Sequence, residues 1–256
     1  MNLPRHITVP KYVRTVNVGP TTVIVNYRNG RVETLIGPAA QWWTEATASG
    51  YAYVPGILDR QHAQELHDQL LKAGLIVPVR RHRPGHEIAN GPRWVPSWGT
   101  QEIPAGRTDS VRVPLNATMS AAVALAVVLG VLRAGRGHRR MARLLHLLSR
   151  AARRGDVPAT VAQVHQAIRS VRRVGLVVPG RVACLEESAA VVVLLAVSHR
   201  RVTWCHGAAA DPVRLHAWVE TDDGHRVAEP PSTARFAVLL TIPERTNGGE
   251  SDHRTR

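Results

Sequence analysis

The sequence predicts an α+β fold in two parts, a small strand-and-helix unit in front and a larger helical unit closed by a strand hairpin behind. Three observations carry this. Residues 11–37 alternate as short strands broken at Gly19-Pro20 and Asn29-Gly30. From 58 to 197 the chain runs through stretches with helical apolar spacing or with long apolar runs free of breakers. Residues 215–229 then read as two strands folded around Asp222-Asp223-Gly224.

In the front unit, 12–18, 21–27 and 31–36 are the three strands, with Asn29-Gly30 as a type I′ hairpin signal. Gly37-Pro38 opens a helix through Ala48 that carries Trp42 and Trp43. Residues 58–73 form an amphipathic helix: Asp59 is its N-cap, Leu66, Leu70 and Ala73 are its apolar stripe, and Gly74 is its stop. Leu75 to Val79 gives a last short strand. Strands, helices and a strand within about 80 residues make a winged-helix-like unit.

Residues 80–112 are rich in Pro, Gly and Arg and read as a linker, with His82 and His86 near His67 in a spacing that fits no metal site. Residues 117–133 are the most apolar run. It contains Gly130 and falls short of the roughly 20 residues a membrane helix needs, so it is expected as a buried helix. Met141 to Ala152 and Ala159 to Val174 are amphipathic helices with arginine-rich outer faces.

The chemistry concentrates between Pro179 and Pro231. Pro179-Gly180 breaks the chain, and Ala183 to Ala196 then forms an apolar helix with Cys184 at its start. The positive end of a helix lowers a thiol pKa, and its free N–H groups can hold an oxyanion. Glu186 and Glu187 in the first turn oppose that effect, while His199, Arg200 and Arg201 are placed in the last turn, where cations suit the dipole. His216 follows 32 positions later on a strand whose other outward residues are Trp218 and Glu220. The hairpin returns Glu229 toward His216, whereas Glu220 lies four residues along, about 13 Å away at strand rise. A plain two-residue turn would point Glu229 away from the His216 face, and a bulge at Gly224 would correct it. Cys184, His216 and Glu229 are thus candidate nucleophile, base and orienting acid. Cys205 reads as core, with His206 beside it as a second choice of base.

The segments C-L-E-x-S, W-C-H-G and D-P-V-R-L-H-A-W-V-E, over roughly 115–240, resemble the leader peptidase (B protein) of lasso-peptide biosynthesis. That resemblance implies a transglutaminase-like or papain-like α+β thiol-protease domain in which Cys184 is nucleophile and His216 base. The family's third residue is an Asp, and Glu229 stands in its place. The segment V-N-Y-R-N-G-R-V-E-T-L-I-G-P-A-A-Q-W-W looks like a RiPP recognition element, the module that captures leader peptides. By that likeness a leader adds as a strand along Arg31, Val32, Glu33, Thr34 and Leu35, with Leu66 and Leu70 beside it. The resemblance implies two partners, a ribosomal precursor peptide and an ATP-dependent, asparagine synthetase-like lasso cyclase. The expected division is 1–82 recognition domain, 83–112 linker, 113–243 protease domain and 244–256 disordered tail.

Composition narrows the alternatives. The 256 residues carry 33 Lys+Arg against 19 Asp+Glu, a formal +14, nearly all of the base being arginine. Such a charge suits nucleic acid, a membrane surface or an acidic peptide. The 58–73 helix carries too few cations and amides for a major-groove reader, so no nucleic-acid partner is expected. Two cysteines make no disulfide framework, and Met1 to Pro20 has no apolar segment, so a reducing cytoplasm is expected, with no integral membrane segment. Without a phosphate-cradling Gly-rich loop or a metal spacing, no cofactor and no metal are expected. The competing readings are another acyl transfer on the same thiol fold, transglutaminase or acetyltransferase, and a non-catalytic peptide- or DNA-binding protein.

Overall fold

Eleven short strands and six helices alternate in a computed structural model that describes residues 6–81, 88–91, 114–135, 137–179, 182–209 and 212–244. In the front unit β1 (His6–Thr8) pairs with β5 (Val77–Val79), and β2 (Val13–Val18), β3 (Thr21–Asn26) and β4 (Arg31–Ile36) form an antiparallel sheet. β6 (Ala89–Asn90) adds parallel to β2, giving the order β4-β3-β2-β6. Of the stretch expected as linker, Ala89–Asn90 is therefore a strand; 82–87 and 92–112, with His82 and His86, lie outside the described residues. β1 has its signal in the alternation of His6-Ile7-Thr8-Val9, which sequence reasoning passed over.

The two hairpins differ as their glycines dictate. Val18 pairs with Thr21 across Gly19 at φ 60°, a two-residue turn with its left-handed position first. The expected type I′ turn at Asn29-Gly30 does not form, because only Gly30 takes a positive φ. Asn26 pairs with Arg31 instead, leaving a four-residue loop closed by Gly30 N–H to Asn26 O at 2.8 Å. β4 forms the outer edge of this sheet, and Arg31, Val32, Glu33 and Thr34 are exposed.

α1 (Gly37–Ser49) buries Trp42 and Trp43 completely, and α2 (Arg60–Lys72) begins where Asp59 accepts from the His62 N–H at 2.9 Å. Both helices close one apolar cluster with Ile7, Val13, Ile24 and Leu75. A second, larger cluster crosses from the front sheet into the rest of the chain. Val16, Val18, Val23, Val25 and Tyr27 pack with the buried faces of α3 (Leu115–Arg133), α4 (Arg140–Arg154), α5 (Val161–Gly175) and α6 (Cys184–Val197). The front sheet thus shares a core with the helices behind it.

α6 is the central helix: it packs against α3, α4 and α5 and against the strand β10 (Arg214–Glu220). Its expected basic last turn is absent. The helix ends at Val197, His199 turns the chain at φ 54°, and Arg200–Arg201 become β8, parallel to β7 (Val157–Pro158). α3 forms where the apolar run predicts a helix, but only a narrow face of it is buried. Ala121, Ala124, Leu125 and Val128 enter the core, whereas Leu115, Met119, Val123 and Val127 face outward. By length and composition α3 is long and apolar enough to cross a membrane.

The last sheet has the order β10-β9-β11, with β9 (Thr203–Ala209) central and wholly buried and β11 (Ala237–Ile242) on its far side. Trp204 Nε1 donates to Ser188 Oγ on α6 at 2.9 Å, which fixes the helix against the sheet. The expected return strand at 225–229 reduces to one bridge, Glu220 to Arg226.

Candidate active site

Cys184 is the first residue of α6 and is partly buried. Ala183 precedes it in extended conformation and has no side-chain oxygen, so no side chain caps the helix. A Ser or Asp there would stabilise the helix by about 1 kcal/mol while occupying an N–H group that now faces outward with the dipole behind it. The two glutamates that threatened the thiolate are tied down. Glu186 Oε2 accepts from the Ala183 N–H at 3.1 Å, and Glu187 Oε1 accepts from Arg172 Nε at 2.8 Å.

β10 is the outer strand of its sheet, so its outward backbone groups are not used by a neighbouring strand. The Ala217 N–H bonds the Cys184 sulfur, and the His216 side chain bonds the same atom. Burial alone would raise the Cys184 pKa; the His216 hydrogen bond, the Ala217 N–H and the His216 charge outweigh it, and the thiol titrates below its usual range. Glu186 is only a weak opposing influence. The partner shift is opposite in sign. Burial would lower His216, but hydrogen bonds and charge from Cys184 and Glu229 push it up to about 9. The two groups therefore favour the thiolate–imidazolium pair.

The imidazole is held from three sides. Its ring stacks on Trp218, with centroids 5.8 Å apart and planes 17° apart, and Phe236 lies 5.2 Å away. Nε2 lies 2.7 Å from Glu229 Oε2. Glu229 Oε2 also accepts from Thr233 Oγ1 at 2.8 Å, and Thr233 is itself buried.

Glu229 reaches this position by a device the sequence reading placed elsewhere. Glu220 bridges Arg226 and Val227 N–H meets Val219 O, so simple continuation would set Glu229 opposite Ala217, on the wrong face. Gly224, at φ 82°, only makes the turn; the reversal of face comes at Ala228, a non-glycine residue at φ 56°. Gly224 is left-handed at the end of a three-residue loop over 222–224, and the correction of face expected from it falls to the residue directly before the acid.

The other candidates separate clearly. Glu220 is buried and bonds Trp218 Nε1 at 2.8 Å and Arg226 Nε at 3.2 Å, so it serves the scaffold. Cys205 is fully buried. His206 is not available as a base: its Nδ1 lies 2.6 Å from the Tyr27 hydroxyl, and burial, with the nearby His216 charge, lowers its pKa to about 4. Of the peptide-contact candidates, Arg31, Val32, Glu33 and Thr34 lie on the open edge of β4, Leu35 and Leu66 are half-buried, and Leu70 points into the core at 4% exposure. Among the described residues no group of His, Cys, Asp or Glu is arranged to hold a metal. Sequence reasoning missed Thr233, Phe236 and the stacking role of Trp218; Thr233, four residues after Glu229, carried the clearest signal.

An activated thiolate, a charged imidazole and an uncapped helix end together suit acyl transfer through sulfur. No curated protein and no solved structure matches the chain. Residues 126–241, which hold all three groups, match the family model described as the transglutaminase-like superfamily. Over those residues the chain is similar to the transglutaminase-like superfamily.

Proposed function

We propose that the protein is the leader peptidase of a lasso-peptide pathway, with a leader-capturing unit over 1–82 and a peptidase domain over 113–243. The observation that carries the catalytic half is the line Cys184–His216–Glu229, with Glu229 in the role an Asp has in the family this sequence resembles. The Cys184 thiolate attacks the carbonyl of the leader–core bond, and the N–H groups at the start of α6 hold the oxyanion. His216 gives its proton to the leaving core amine, the acyl group stays on sulfur, and water activated by His216 hydrolyses the thioester to release the leader.

The capture half rests on β4. Its outer edge has unpaired backbone groups and carries Arg31 to Leu35, so an extended leader adds there as a further strand, with Leu66 alongside and Leu70 supporting from the core. Joining capture to cutting raises the local substrate concentration, to about millimolar for a short tether. The released core passes to an ATP-dependent cyclase in the cytoplasm.

The test is to incubate the protein with the short precursor peptide encoded beside its gene and to weigh the products by mass spectrometry. Leader plus free core supports the reading, provided Cys184→Ala abolishes cleavage and keeps precursor binding. A precursor that gains an amine or an acyl group without being cut identifies transglutaminase or acetyltransferase chemistry instead. Cleavage that survives Cys184→Ala removes the thiol from the mechanism.

A further inference from the structure

A cleft of about 1010 Å³ lies at the seam between the front sheet, α4 and β11, and none of Cys184, His216 or Glu229 lines it. Tyr12 and Tyr27 of the front unit, Leu145 of α4 and Leu240 of β11 give it apolar walls. Around them stand five cations against one carboxylate, Glu244. Two of the cations are already matched: Arg14 holds Glu244 at 3.0 Å and Arg201 holds Asp222 at 2.5 Å. Lys11, Arg28 and Arg153 have no acidic partner among the described residues and are exposed. The Arg28 guanidinium lies 5.9 Å from the Tyr12 ring centroid, which restricts it and leaves its N–H edge for a carboxylate.

We infer that this seam is a second binding site, one that takes an acidic peptide segment. The free cations call for an anion, and the apolar walls call for side chains between the charges. A peptide alternating acidic and apolar residues offers both, whereas inorganic phosphate would leave the walls unfilled. A nucleic-acid strand fits less well, because Glu244 interrupts the cationic rim that a continuous polyanion would track. The volume is at the upper end of small-molecule pockets, which suits several residues of peptide. Tyr27 ties the site to the catalytic sheet, since the residue borders the cleft and its hydroxyl meets His206. The inference does not depend on which reaction Cys184 carries out.

The experiment titrates full-length Cys184→Ala protein, in which cleavage cannot blur binding, with a fluorescein-labelled peptide of alternating glutamate and leucine, read by anisotropy. The expected result is saturable binding that weakens with salt. Arg28→Glu/Arg153→Glu should lose about tenfold or more in affinity, while Arg60→Glu/Arg173→Glu, with the same change of net charge on exposed residues of α2 and α5, neither of which lines the cleft, should bind as the parent does. Arg28→Gln/Arg153→Gln gives the same direction with less risk to folding, which circular dichroism checks. The inference is overturned by no binding to folded protein, by equal losses in both charge-reversal variants, or by equal binding of the glutamine-for-glutamate peptide. Displacement by single-stranded oligo-thymidine at lower concentration than by the peptide itself would also overturn it, as it would mark a nucleic-acid site.

Discussion

Glu229 meets His216 through one oxygen: Oε2 lies 2.7 Å from the imidazole Nε2 and accepts from Thr233 Oγ1 as well. The carboxylate both orients the ring and favours its charged form, and the threonine fixes the carboxylate. Glu229→Gln should therefore lower kcat by about 10²–10⁴-fold with little change in substrate binding. Unchanged turnover in this variant would remove Glu229 from the mechanism.

Thr233 acts one bond further out, as a positioning residue. Thr233→Val should cost about tenfold in kcat, the worth of one hydrogen bond to a charged group, with KM unaltered. Thr233→Ser should restore most of it. A loss that serine fails to restore, or one confined to KM, would point to packing instead.

Ala228 adopts φ 56°, a conformation that costs a residue with a Cβ about 1–2 kcal/mol and glycine almost nothing. Ala228→Gly should keep activity and hold or raise the unfolding midpoint. Ala228→Val should lose stability and kcat together, because a β-branched residue resists that conformation and releases Glu229 from the His216 face. Equal behaviour of the two variants in thermal unfolding and turnover would contradict the role given to this residue.

Much of this was legible before any coordinates. The cysteine at a helix start, the histidine on an outer strand and the acid on a returning segment follow from apolar runs, breakers and alternation, and 126–241 matches a transglutaminase-like model. What stayed hidden depends on tertiary contacts. Ala228 gives no local sign that it is left-handed, since only the demand that Glu229 face His216 imposes it. The type I′ expectation at Asn29-Gly30 failed because the Asn26–Arg31 register fixes a longer loop. His206 looked like a spare base because nothing near it in sequence announces Tyr27, 179 positions away.

The Tyr27–His206 bond is a seam between the two units and should carry stability. Both groups are buried, and with Tyr27 kept protonated by burial its O–H has Nδ1 as acceptor. Tyr27→Phe should cost about 1–3 kcal/mol in urea unfolding near neutral pH. The pH dependence has a definite sign. Folded His206 resists protonation down to about 4, while the unfolded chain takes the proton at the ordinary 6.5. The wild-type protein should therefore lose stability as pH falls from about 6.5 to about 4, with no contribution from this group above that window. His206→Gln, which cannot titrate, should flatten that slope.

Catalysis should follow a bell-shaped pH profile. Its acidic limb reports Cys184 and falls below the ordinary thiol range; its basic limb reports loss of the His216 proton near 9. Glu229→Gln should move the basic limb downward, since the carboxylate is one of the groups that raise His216. A basic limb that stays in place would show that the carboxylate does not act on the ring.

The chemistry of the site stands on the ion pair between the Cys184 sulfur and the His216 ring. Its most direct measurement is the rate at which iodoacetamide alkylates Cys184 as a function of pH in the folded protein, where fully buried Cys205 is shielded. Wild-type alkylation should reach its plateau below the range of an ordinary thiol, and His216→Ala should move the titration back up to or beyond that range. Superimposable profiles for the two proteins would mean that sulfur and imidazole do not interact, and the thiol mechanism would fall with them.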